Sequence, residues 1–91
     1  MGAEDSKAVE VGGLAVRIDT ERIGDWRTFS IIRRIQGADK YEQLEAMFEF
    51  IEHVTDQTEE SIVAHLGGDT AKADDVINLA LEIVKAATPK N

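Results

Sequence analysis

Ninety-one residues, 43% apolar and 31% charged, make one globular domain with a thin core and are too rich in apolar side chains for wholesale disorder. With no cysteine, disulfide frameworks, thiolate nucleophiles and cysteine-ligated zinc are excluded, and a reducing cytoplasm fits. The net charge of −8 lies wholly in the second half: residues 1–41 hold seven acids and seven bases, whereas residues 42–91 hold eleven acids against Lys72, Lys85 and Lys90. Such a surface repels phosphate backbones and anionic lipid, so neither nucleic acid nor membrane is an expected partner, although the stretch from Arg17 to Arg34 has the arginines for a local basic patch. No apolar run reaches the ~20 residues that span a bilayer, and the N-terminus lacks the basic-then-apolar order of a signal peptide.

Along the chain, residues 1–8 read as a polar tail. Val9-Glu10-Val11 and Leu14-Ala15-Val16-Arg17-Ile18 alternate apolar and other residues on either side of Gly12-Gly13, which predicts a β-hairpin. Asp19 to Gly24 predicts a turn or a single helical turn. Asp25 is placed to cap a first helix in which Trp26, Phe29, Ile32 and Ile35 recur at helical spacing until Gly37. A second helix follows Asp39, with Tyr41, Leu44, Met47, Phe48, Ile51 and Val54 as its apolar stripe and Glu42, Glu45, Glu49 and Glu52 opposite. Thr55 or Thr58 caps a third helix carrying Ile62, Val63 and Leu66, ended by Gly67-Gly68; Thr58 with Ser61 does not read as a capping box. Asp69 or Thr70 opens a last helix with Val76, Ile77, Leu79, Ala80, Ile83, Val84 and Ala87 on one face, and Pro89 ends it. The expected fold is α+β and mostly α: a hairpin packed on three to four helices, a single domain over residues 9–88 with short tails at 1–8 and 89–91.

Chemistry is sparse. His53 and His65 stand twelve positions apart with no metal-ligand spacing, and read as surface or rim histidines. Ser6, Ser30 and Ser61 lack a nucleophile-elbow context. The adjacent pairs Glu59-Glu60 and Asp74-Asp75 suit early-turn dipole compensation better than a shared proton, because neighbours on a helix point about 100° apart. No Lys-Ser/Thr pair follows either Gly-Gly, so neither cradles phosphate. No catalytic residue, metal ligand or cofactor is therefore expected, and the chain reads as a non-enzyme. The second helix carries two apolar strips, Leu44-Phe48-Ile51 and Met47-Phe50-Val54, more than one core stripe requires. Two readings follow. Met47, Phe50 and Val54 form a partner-binding strip while Trp26, Phe29, Leu44, Phe48 and Ile51 anchor the core, or Phe50 packs beneath the hairpin.

Val9-Glu10-Val11-Gly12-Gly13-Leu14-Ala15-Val16-Arg17-Ile18-Asp19, then Asp25-Trp26-Arg27-Thr28-Phe29, Tyr41-Glu42-Gln43-Leu44, the helix from Glu60 to Leu66 and the closing helix from Asp74 to Ala87 follow one another in a familiar order. Across residues 9–91 the pattern resembles the tail assembly chaperones, or tape-measure chaperones, of long-tailed bacteriophages and prophages. The resemblance implies a non-enzymatic role in virion assembly: binding the long, aggregation-prone tape measure protein, recruiting tail-tube protein, and leaving before the tail is finished. It also implies a longer form made by ribosomal frameshifting. The rival expectation is a small acidic phage or bacterial adaptor, regulatory or inhibitory, that masks a basic surface. Self-association is compatible with a core this thin.

Overall fold

The computed structural model describes residues 6–37 and 39–88, and the expected tail at 1–5 and the helix stop at Pro89 lie outside them. Strands β1 (Ser6–Val11) and β2 (Leu14–Asp19) pair antiparallel with Val11 opposite Leu14 and Val9 opposite Val16. Residues 6–8, expected in the tail, therefore belong to the strand. Gly12 and Gly13 have φ of 58° and 82°, the left-handed pair that a two-residue type I′ turn needs and that glycine adopts without a Cβ clash. Alternation puts Val9, Val11, Leu14, Val16 and Ile18 on the core face and leaves Ala8, Glu10, Ala15 and Arg17 exposed.

The outer edge of β2 does not stay open. Ile18 bridges Thr55, the Asp56 N–H donates to the Arg17 carbonyl (3.1 Å), and the Arg17 N–H donates to Asp56 Oδ1 (3.0 Å). Gln57 Nε2 adds a bond to the Ala15 carbonyl at 3.1 Å. Residues 55–57 thus tie the hairpin to the helices and satisfy backbone groups that an exposed edge would leave to water.

A single 3-10 turn over Arg22–Gly24 leads into α1 (Trp26–Gly37). Asp25 caps it as expected: its Oδ1 accepts the Thr28 N–H at 2.7 Å. Asp39 likewise caps α2 (Lys40–Val54) by accepting the Glu42 N–H. Thr58 caps α3 (Glu59–His65), and here the structure corrects the sequence reading. Ser61 Oγ accepts the Thr58 N–H (2.8 Å) while Thr58 Oγ1 accepts the Ser61 N–H (3.1 Å), a complete reciprocal box with serine in the place usually held by Glu or Gln. The last helix also starts later than expected. Gly67 and Gly68 both have positive φ, Gly68–Thr70 forms a second 3-10 turn, and Thr70 bonds back to the Gly67 carbonyl; α4 (Ala73–Ala87) begins only after Lys72. Thr70 lies inside that turn, two residues before the N-cap position that Lys72 holds, so it does not cap α4.

The central element is α2, with α1 and α4 packed against it and α3 against α4. Its buried residues are Ala46, Met47, Phe48, Phe50, Ile51 and Val54, an arc too broad for one neighbour and filled by two. Val16 and Ile18 of the hairpin, Ile31 of α1, Ile62 of α3 and Ile83 of α4 complete the same core. Each large apolar side chain taken fully out of water contributes about 1.5–3 kcal/mol. The fold is α+β and mostly helical.

Candidate functional site

The two histidines occupy structural positions. Half-buried His53, in the last turn of α2, places Nε2 2.9 Å from Asp25 Oδ2, and its carbonyl accepts from the Arg22 guanidinium at 3.1 Å. The Asp25 carboxyl is held at about 2, below the ordinary 3.8, chiefly because it accepts the Thr28 backbone N–H and further because His53 hydrogen-bonds to it. Exposed His65 places Nε2 2.9 Å from the Gly12 carbonyl and so ties α3 to the hairpin turn. The His53 ring holds a helix-capping carboxylate and the His65 ring a backbone carbonyl. Among the described residues no three His, Cys, Asp or Glu side chains converge to hold a metal. Glu59-Glu60 and Asp74-Asp75 sit in the first turns of α3 and α4, where the helix dipole favours negative charge.

The assignment of apolar residues between core and surface is largely reversed. Phe50 and Val54 are completely buried and Met47 is 7% exposed, so these three do not form the partner strip expected of them. Phe48 and Ile51 are buried and Leu44 is half-buried, as core positions should be. Trp26 and Phe29, expected to anchor the core, are instead 73% and 51% exposed. The reason is geometric. Residues three apart on a helix fall about 60° short of a full turn, so the ladder Trp26, Phe29, Ile32, Ile35 walks half-way round the helix. The inward face of α1 is Thr28, Ile31, Ile32 and Ile35, with Thr28 Oγ1 satisfied by the Arg22 carbonyl.

Among the described residues, two apolar surfaces remain in water. On α1, the Trp26 and Phe29 rings lie 5.3 Å apart and the Arg33 guanidinium sits 5.7 Å from the Phe29 ring centre. Between the N-terminal half of α2 and α4 runs a groove of about 390 Å³, lined by Tyr41, Leu44, Met47, Ile77 and Leu81, with Lys40 and Gln43 beside them. Tyr41 is 81% and Leu81 39% exposed.

No protein-family model, curated protein or solved structure matches this chain. Met47 keeps a part in the groove as a buried lining residue. Leu81 escaped the sequence reading, yet Ile77 and Leu81 stand one turn apart, and together they make the apolar arc of α4 wider than a single packing partner requires. No helix of the described residues is long and apolar enough to cross a membrane.

Proposed function

We propose that this protein is a non-enzymatic binding protein, a tail assembly chaperone of a long-tailed phage or prophage, whose client is the tape measure protein and which hands that client to tail-tube subunits. The observation that carries the reading is the groove between α2 and α4, where exposed Tyr41 and Leu81 stand with half-buried Leu44 and Ile77 beside buried Met47. A groove lined by apolar residues of two helices accepts the apolar stripe of a third, as amphipathic helices are bound elsewhere. A client that is long, helical and apolar offers many such stripes. The acid excess of residues 42–91 keeps the loaded complex apart from its neighbours by repulsion.

The test is co-expression with a tape measure protein. Tyr41→Asp with Leu81→Asp places charges in the groove at exposed positions, so circular dichroism should stay at the wild-type level while the client becomes insoluble. A folded double variant that still holds the client in solution overturns the assignment of the groove. The acid excess of the second half supports a second reading, an adaptor that masks a basic protein surface. Binding of that kind weakens steeply between low and moderate salt, whereas apolar groove binding changes little.

A further inference from the structure

The client groove leaves the outward face of α1 without a role. Trp26, Phe29 and Arg33 share that face, with Arg27 and Arg34 along its flank, and the whole helix carries three arginines and no acid. An exposed Trp–Phe pair under a guanidinium is costly to leave in water and has the composition of an interface hot spot, where Trp and Arg lead the frequencies. The charge on this helix opposes that of the second half of the chain. The complementary surface lies on the same protein: an open cleft of about 630 Å³ where the end of α2, α3 and the glycine turn meet. Glu52, Glu59, Glu60 and Asp69 line it, with Val63 and Ala64 as apolar patches among the carboxylates. One α1 arginine is already paired in this way within the molecule, since Arg34 Nη1 meets Glu49 Oε2 of α2 at 2.7 Å.

We propose that the Trp26–Phe29–Arg33 face of one copy docks in the Glu52–Glu59–Glu60–Asp69 cleft of a second copy. Rings meet Val63 and Ala64, and the arginines meet the carboxylates. The two surfaces share no residue, so the contact is head-to-tail. The pair keeps one unused face and one unused cleft, and repetition of the contact builds a ring or an open row. One short helix face makes a small interface, of the class that associates transiently and gains its specificity from charge.

Trp26 is the only tryptophan in the chain and reports the contact directly. Raising the concentration of the wild type should increase the mass in sedimentation equilibrium and shift the Trp26 emission to shorter wavelength, and both effects should fade with added salt. Trp26→Ala with Phe29→Ala removes the face, and Glu59→Lys with Glu60→Lys removes the cleft. Each should weaken self-association by roughly tenfold or more with the helical signal retained. Glu60→Gln with Asp69→Asn serves as a second cleft variant that keeps a carboxylate in the first turn of α3. Mixed together, the face variant and a cleft variant should form a 1:1 dimer and stop, and the emission of the only remaining tryptophan should shift on mixing. A wild type that stays monomeric over the whole series overturns the proposal. So does either variant associating like the wild type, or a mixture that stays monomeric. The groove variant Tyr41→Asp with Leu81→Asp should associate normally, which keeps this test separate from that of the client site.

Discussion

His53 Nε2 lies 2.9 Å from Asp25 Oδ2, so the residue that caps the start of α1 is held by the last turn of α2. Asp25 also accepts the Thr28 N–H at 2.7 Å, and the Arg22 guanidinium reaches the His53 carbonyl. A single carboxylate therefore ties the start of α1 to the end of α2, and the 3-10 turn reaches the same helix end through Arg22.

The pH dependence of this junction has a definite sign. The Asp25 carboxyl titrates at about 2 in the folded chain against an ordinary 3.8, so the unfolded chain takes up its proton first. Its stabilising contribution is complete above pH ~4 and is lost as pH falls from ~4 towards 2. Asp25→Asn should therefore melt below the wild type at neutral pH, with the gap closing over that acid window. The larger cause of the shift is the Thr28 N–H, so His53→Gln should leave the Asp25 carboxyl still below its ordinary value in an NMR titration. A return to 3.8 in that variant would show that the histidine, and not the cap, holds the proton off.

Phe50 and Trp26 make opposite predictions. Phe50 is wholly buried, so Phe50→Ala leaves a cavity and should cost about 3–5 kcal/mol in denaturant unfolding. Trp26→Ala removes a ring that is mostly in water and should change stability by less than about 0.5 kcal/mol. A larger loss at Trp26 than at Phe50 would mean that the two residues had been assigned to the wrong sides.

That pair also shows how far the sequence could be read. Element types and order were legible, because the Gly12-Gly13 turn and the caps at Asp25, Asp39 and Thr58 are local chemistry written in adjacent residues. The surplus of apolar helix surface was legible as an amount. Its location was not. Whether the second strip of α2 faces water depends on how many helices surround α2, and α1 and α4 together cover both strips. The surplus then falls on residues at the margins of their helices: Trp26 at the start of α1, Tyr41 at the start of α2, and Leu81 on the outer side of α4.

Ser61 offers a narrower test. Its hydroxyl accepts the Thr58 N–H, an otherwise unpaired donor at the start of α3, while its own N–H is held by Thr58 Oγ1. Ser61→Ala keeps the second bond and loses the first, together with the bond that the hydroxyl donates to Gln57 Oε1, at a cost of about 1 kcal/mol. Ser61→Glu should recover most of that loss, since glutamate is the usual occupant of the position. Equal stability of the alanine variant and the wild type would show that water replaces the serine without cost.

Gly12 joins turn chemistry to core packing. With φ of 58° any L-residue is strained there, and a Cβ would come within 2.9 Å of Leu79 Cδ1 on α4. Gly13, at φ 82°, has only the His65 ring at 3.7 Å, an ordinary contact. Left-handed backbone costs an alanine about 1–2 kcal/mol, and both glycine-to-alanine variants should lose at least that much. Any further loss should appear at Gly12 alone, because its Cβ has to displace a buried leucine. Leu79→Val shortens the clashing side chain, so in a double-mutant cycle it should restore part of the Gly12→Ala loss and none of the Gly13→Ala loss. Additive behaviour at both glycines would mean that the hairpin turn and α4 do not press on each other, and that the turn is held only by its own backbone geometry.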